Sequence, residues 1–244
     1  MIRALIFDYG GTLDTNSEHW SHVIWKGYQA QSLTVRYDHY RLAYVHGERS
    51  LAKFPLIRPE HNFLDLLRIK LDVQTSFLVD AGFWPELEGQ EPLRRQFAEA
   101  IARFCYDYVL ENLRRTRPVL QSLAKQYPLV LVSNFYGNLC TVLHDFQLDV
   151  FPTVVESALV GVRKPDPRIF QLAINTLGLS HDSIAVVGDS LKNDIRPASS
   201  LGLRTIWLSG SSWDDVQPSD PQLADITITD IAQLPDALTQ LNGV

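Results

Sequence analysis

The sequence predicts an α/β protein, a core of parallel strands with a helical cap inserted straight after the first strand. Three observations carry this. An unbroken apolar run, Ala4-Leu5-Ile6-Phe7, stands near the start of the chain and ends at Asp8, as expected of a strand buried on both faces. A long stretch of helical pattern follows, to about Arg117. From Pro118 onward short apolar runs alternate with helix-like segments, the pattern of a parallel sheet wound by right-handed crossovers.

Taken in order, the first strand gives way to Gly10-Gly11-Thr12, where the glycines let backbone approach a bound group closely. Thr15-Asn16-Ser17 is expected to cap a helix that begins near Glu18. Phe63, Leu67 and Leu71 recur every four residues, and Phe97, Ile101, Phe104 and Tyr108 form a longer stripe. Pro55, Pro59, Pro85 and Pro92 divide this region into several helices. Beyond it, Leu129 to Val132 reads as a strand ending at Ser133-Asn134, followed by a helix through Leu143 and a short strand at Val154-Val155. Asp166 and Pro167 read as the cap and first-turn proline of a helix that stops at Gly178. Ile184 to Val187 is a further strand, ending at Gly188-Asp189. A helix from about Asn193 to Leu201, strands at Arg204 to Leu208 and Ile226 to Ile228, and a final helix complete the chain. The Ser209 to Gln222 stretch reads as an exposed connection, and Trp207 as a packing residue. The expected division is a core of residues 1–14 and 118–244, with residues 15–117 as the cap and its connection.

Composition narrows the function classes. The 244 residues are 45% hydrophobic and 20% charged, with a net charge of -6. No basic cluster offsets that charge, which argues against a nucleic-acid surface. No apolar run approaches membrane-spanning length, and Met1 to Phe7 is too short for a signal peptide. Cys105 and Cys140 each lie in a helix-like apolar stretch, so both are expected to be small core residues rather than a disulfide or metal pair, which suits the cytoplasm.

Three apolar strands thus end in the polar groups Asp8, Ser133 and Asp189. If the strands are parallel, all three emerge at one edge of the sheet, where open α/β sheets bind their ligands. Asp8 and Asp189, with Asp194 a helical turn further on, form an oxygen-only cluster suited to a hard cation such as magnesium. Such a metal would neutralise an incoming phosphate and leave Asp8 free to attack it. Ser133, ahead of a helix, offers a hydroxyl and N–H donors. Lys164, held by the proline that follows it, offers a point charge for phosphoryl oxygens.

Asp8-Tyr9-Gly10-Gly11-Thr12-Leu13, Ser133-Asn134, Lys164-Pro165-Asp166 and Gly188-Asp189-Ser190-Leu191-Lys192-Asn193-Asp194 resemble the four ordered motifs of the haloacid dehalogenase superfamily. The resemblance covers about Met1 to Leu208. It implies a Rossmann-like core with a helical cap inserted after the first motif. In the superfamily's phosphatases it also implies attack by Asp8, with magnesium held by Asp8, the carbonyl of Gly10 and Asp189, and supported by Asp194. Ser133, Asn134 and Lys164 would hold the phosphoryl group, and the substrate would be a small phosphorylated metabolite.

One position departs from that pattern. The superfamily's phosphatases carry a second Asp two residues after the nucleophile, which protonates the leaving group and later activates water; here that position is Gly10. Losing general acid–base help costs about 10²–10⁴-fold. The expected enzyme is therefore weak on poor leaving groups, unless Asp14, His19 or His22 carries the proton. The alternatives are a phosphonatase-like C–P hydrolase, for which Lys26 or Lys53 would supply the cap lysine, and a non-catalytic binder of a phosphometabolite or partner. A dehalogenase also lacks the second Asp but needs no metal, so the retained metal motif argues against it. Trp20, Trp25, His46, Arg49 and Lys53 are the candidates to line the inner face of the cap.

Overall fold

Strand β1 (Ala4–Phe7) sits in the interior of a parallel sheet. Its neighbours follow from its composition: a strand with no polar residue needs cover on both faces. The computed structural model describes residues 1–211 and 224–243. After β1 come four long helices, α1 (Trp20–Ala30), α2 (Tyr37–Lys53), α3 (Phe63–Asp80) and α4 (Glu91–Leu123). The chain then alternates through β2 (Leu129–Ser133), α5 (Leu139–Asp145), β3 (Thr153–Glu156), α6 (Ser157–Val160), α7 (Arg168–Leu177), β4 (Ile184–Gly188), α8 (Arg196–Ser200), β5 (Arg204–Leu208), β6 (Ile226–Ile228) and α9 (Leu234–Leu241). Among the described residues the sheet has six strands, ordered β3-β2-β1-β4-β5-β6, and every pairing is parallel.

The two faces of the sheet separate with the two-residue period of the strands. Leu5 and Phe7 pack in one layer with Leu131, Val187 and residues of α4, α5 and α9. Ala4 and Ile6 pack in the other with Val130, Val186 and the Ile169, Phe170 and Ala173 side of α7. The first layer continues without a break into α1, α2 and α3, so the helical insertion is anchored on the same hydrophobic core as the sheet. The fold is the expected α/β one, a Rossmann-like parallel sheet with an inserted helical cap.

Local boundaries differ from the sequence expectation in four places, each for a visible reason. Helix α1 starts at Trp20 because Asn16 and Ser17 take left-handed backbone (φ 52° and 67°). His19 becomes the N-cap, its ring nitrogen accepting from Ser21 N. Helix α4 runs through Pro118 without ending there. The hydrogen bond that proline removes is outweighed by burial of Leu113, Thr116, Leu120 and Leu123 around it. Helix α7 begins at Arg168, one residue late, with the Asp166 carboxylate accepting from Arg168 N at 3.0 Å. The segment expected as one helix after Asp189 opens instead as a wide π turn, Leu191–Ile195, before α8. Cys105 is buried as expected, but Cys140 is exposed, since α5 turns its Leu139, Val142 and Leu143 face inward. Most of the Ser209 to Gln222 connection lies outside the described residues. Among those described, no helix is long and apolar enough to cross a membrane.

Candidate active site

Because β1, β2 and β4 are adjacent and parallel, Asp8, Ser133 and Asp189 do emerge at one edge. The register pairs Phe7 with both Leu131 and Val187, and Asp8 N donates to the Val187 carbonyl at 3.0 Å. The edge lies where the chain, having gone from β1 outward to β2 and β3, returns to β4, the place where open α/β sheets leave a crevice.

Asp8 is 6% exposed, and its carboxylate is held from three sides. Oδ1 accepts from Lys164 Nζ at 2.5 Å and from Ser133 Oγ at 3.1 Å, and Oδ2 from Thr12 Oγ1 at 3.3 Å. Lys164 Nζ also donates to Asp194 Oδ1 at 2.6 Å. Thr12 Oγ1 further donates to Asp189 Oδ1 at 2.9 Å, and accepts from Asp189 N at 3.0 Å. Ligand oxygens of Asp8, Asp189 and Asp194 lie within 4.8 Å of one another. Burial, then the neighbouring Asp8 and Asp194 charges, push the Asp189 carboxyl well above the usual carboxylate range. Burial pushes Asp194 up to about 6 despite Lys164. The same burial pulls Lys164 down, but Asp194 and Asp8 outweigh it and hold the ammonium charged. Three carboxylates against one ammonium is a donor set that lacks positive charge, and it fits a hard divalent cation.

The motif glycines are dictated by this crowding. Gly11 has φ +94°, and a Cβ there would stand 2.5 Å from Asp189 Oδ2. A Cβ on Gly188 would stand 2.5 Å from the Asp194 Cβ. Gly10 is the opposite case, since a Cβ there meets nothing within 4 Å.

Asn134 lines the same cavity, but its amide is committed to the backbone of Lys164: Nδ2 donates to the Lys164 carbonyl at 3.0 Å and Oδ1 accepts from Lys164 N at 2.8 Å. Ser133 does not sit at a helix start, because α5 begins only at Leu139. Of the three proposed proton carriers, His19 lines the cavity, whereas Asp14 and His22 do not. Asp14 is fully buried and braces the loop: Oδ1 accepts from Gly11 N at 2.7 Å and Oδ2 from Trp20 Nε1 at 3.0 Å. Burial pushes its carboxyl up to about 7. Of the cap candidates, Trp20 lines the cavity, while Trp25, His46, Arg49 and Lys53 do not. Trp25 packs among Tyr28, Tyr37 and Tyr40, His46 stacks on Phe77 at 4.4 Å, and Lys53 lies over Phe54. Lys26 pairs with Glu18 at 3.1 Å, away from the cavity.

Sequence reasoning gave no site role to Thr12 or Tyr44, and read Trp207 as packing alone. Thr12 ties two carboxylates together, and its place in Gly-Gly-Thr between strand and first helix was the available signal. Trp207 does pack, but its Nε1 also donates to the Asp189 carbonyl at 2.8 Å and its ring faces the cavity. Tyr44 reaches the cavity from α2, and nothing in its helical surroundings marks it.

Fold and site together define an α/β protein with a buried carboxylate cluster at the ends of its central strands. The family model for haloacid dehalogenase-like hydrolases matches residues 2–202, and the chain belongs to that family. A curated relative, the glyceraldehyde 3-phosphate phosphatase of Pyrococcus furiosus, is 33% identical over 39% of this chain and 40% of its own length. Other curated relatives that match over comparable spans are also named as phosphatases. The chain spans about two fifths of the length of the first of these relatives. The fold is shared with a 2-haloacid dehalogenase of Pseudomonas syringae (TM-score 0.51, 22% identity, 98% and 99% of the two chains). It is shared too with a magnesium-bound hydrolase of Bacillus subtilis (TM-score 0.56, 17% identity, 97% and 98% of the two chains).

Proposed function

We propose that the protein is a magnesium-dependent phosphoryl hydrolase of a small phosphorylated metabolite, acting through an aspartyl-phosphate at Asp8 and weak on poor leaving groups. The observation that carries this is the Asp8 carboxylate itself, buried at the end of β1 and held by Ser133, Lys164 and Thr12 beside two further carboxylates. The names of the curated relatives support phosphate ester chemistry.

Asp8, Asp189, Asp194 and the Gly10 carbonyl would hold the metal. Bound there, magnesium supplies positive charge against the phosphoryl oxygens and lowers repulsion between phosphate and Asp8. Lys164 contributes a second positive charge, and the Ser133 hydroxyl a donor, to the same oxygens. A carboxylate oxygen of Asp8 bonds to phosphorus, and the bond to the leaving oxygen breaks with its electron pair. Water then attacks the phosphorus of the acyl phosphate, which returns Asp8 and releases phosphate. At Gly10 no side chain gives the leaving oxygen a proton, so the rate follows how well that oxygen carries negative charge. Residues 15–117 act as the cap that excludes water during the first step, over a core of residues 1–14 and 118–244.

A phosphonatase needs a cap lysine at the reacting carbon. Among the described residues the lysine on the cavity wall is Lys164, from the core. Magnesium-dependent hydrolysis of an aryl phosphate that disappears in Asp8→Asn is the test; turnover unchanged in Asp8→Asn, or unaffected by removing magnesium, contradicts the proposal.

A further inference from the structure

Resting on the phosphatase reading, we propose that the group leaving from phosphorus is a neutral aromatic one, seated against rings that the helical insertion brings to the cavity. The cavity over Asp8 has a volume of about 430 Å³, within the range of small-molecule sites. Its phosphate end is made by core residues. The insertion contributes His19, Trp20 and Tyr44, all of them rings, and the core adds Trp207.

These rings are set in place by bonds outside the cavity. Trp20 donates its Nε1 to Asp14 at 3.0 Å and packs on Phe63 with ring centroids 5.5 Å apart. Trp207 donates its Nε1 to the Asp189 carbonyl at 2.8 Å. With both indole N–H groups committed, these side chains offer a ligand apolar ring surface already oriented, and little ordering remains to be done on binding.

Charge excludes the main competitors. A leaving group that carries a carboxylate or a second phosphate needs a cationic partner when enclosed. Among the described residues no arginine lines the cavity, and the lysine there, Lys164, is engaged by Asp8 and Asp194. The insertion's own cations are turned elsewhere: Lys70 pairs with Glu48 at 2.7 Å, Arg68 with Glu99 at 2.7 Å, and Arg94 with Asp72 at 2.7 Å. His19 commits its Nδ1 to Ser21, accepting from Ser21 N at 3.1 Å. An aryl oxide also leaves from phosphorus without being protonated, which suits Gly10. The P–O bond breaks, the electron pair stays on the aryl oxygen, and solvent protonates it afterwards.

The test compares phenylphosphonate with cyclohexylphosphonate, which is similar in size but not planar, by calorimetric binding to the magnesium-loaded protein. In parallel, kcat/KM is measured for 4-chlorophenyl and hexafluoroisopropyl phosphates, whose alcohols have similar acidity. The expected result is binding of the phenyl compound tighter by roughly five- to tenfold, and a matching preference for the aryl ester carried by KM. Trp20→Leu and Tyr44→Leu each reduce that preference, while Trp20→Phe, which loses the hydrogen bond to Asp14 but keeps a ring, retains it. A carboxylate on the phenyl ring weakens binding. Equal binding of the two phosphonates overturns the inference. A binding preference for the phenyl compound without magnesium-dependent turnover of either ester upholds the aromatic seat but contradicts the phosphatase reading, and with it the assignment of that ring to a leaving group.

Discussion

Lys164 bridges Asp8 and Asp194, with its Nζ 2.5 Å from one carboxylate and 2.6 Å from the other, and all three side chains are buried. The bridge joins the proposed nucleophile, the third carboxylate and the proposed phosphate-binding charge into one unit, and Asn134 fixes it by pairing with the Lys164 backbone. Removing the ammonium leaves buried carboxylates facing one another. Lys164→Met is expected to abolish measurable hydrolysis and to destabilise the magnesium-free protein by about 3–5 kcal/mol. Added magnesium should recover part of that stability. Thermal unfolding with and without the ion checks this, and an unchanged midpoint contradicts it.

Thr12 is the hydroxyl shared by Asp8 and Asp189. Thr12→Val keeps the shape and removes all three hydrogen bonds of that hydroxyl to Asp8 and Asp189, so magnesium affinity should fall by about 10–100-fold. Titration of activity against magnesium measures the shift; an unaltered half-saturating concentration would mean that the carboxylates orient themselves without it.

Asp14 supplies a pH dependence outside the metal cluster. Burial raises its carboxyl from the ordinary 3.8 to about 7. The folded state therefore holds a proton that the unfolded chain releases near pH 4, and this stabilisation, complete below that pH, is lost as pH rises toward 7. The slope is at most about 1.4 kcal/mol per pH unit. Urea unfolding across this range should show a shallower decline for Asp14→Asn than for the native chain. Parallel declines count against a protonated Asp14.

Gly10 has room for a side chain and an ordinary φ. Gly10→Asp should fold normally and raise the rate on alkyl phosphates by up to about 10²–10⁴-fold, with a smaller effect on aryl phosphates. If alkyl and aryl esters already react at comparable rates and the new carboxylate adds nothing, another group moves the proton; of Asp14, His19 and His22, His19 lines the cavity.

The sheet and the cluster were legible in the sequence because both are written locally. The run Ala4 to Phe7 has no polar residue, so only an interior position satisfies it, and each of Asp8, Ser133 and Asp189 ends an apolar run. The crossing of Pro118 by α4 was hidden, since burial of Leu113, Leu120 and Leu123 is a tertiary effect that overrides a local breaker. The cap lining was hidden for the same reason. Trp20 and Trp25 are alike in sequence, yet one reaches the cavity through its bond to Asp14 and the other packs among Tyr28, Tyr37 and Tyr40. The cation-poor wall was hidden likewise, because only the packing of the helices sets Arg49 and Lys53 away from the cavity.

The proposed reaction passes through a covalent phosphoryl group on Asp8. Rapid acid quench during turnover of an aryl phosphate with magnesium, followed by peptide mass analysis, tests it directly. The expected result is a phosphoryl group on the peptide carrying Asp8, removed by hydroxylamine and absent in Asp8→Asn. Rapid turnover with that peptide unmodified throughout, and retained in Asp8→Asn, would contradict it.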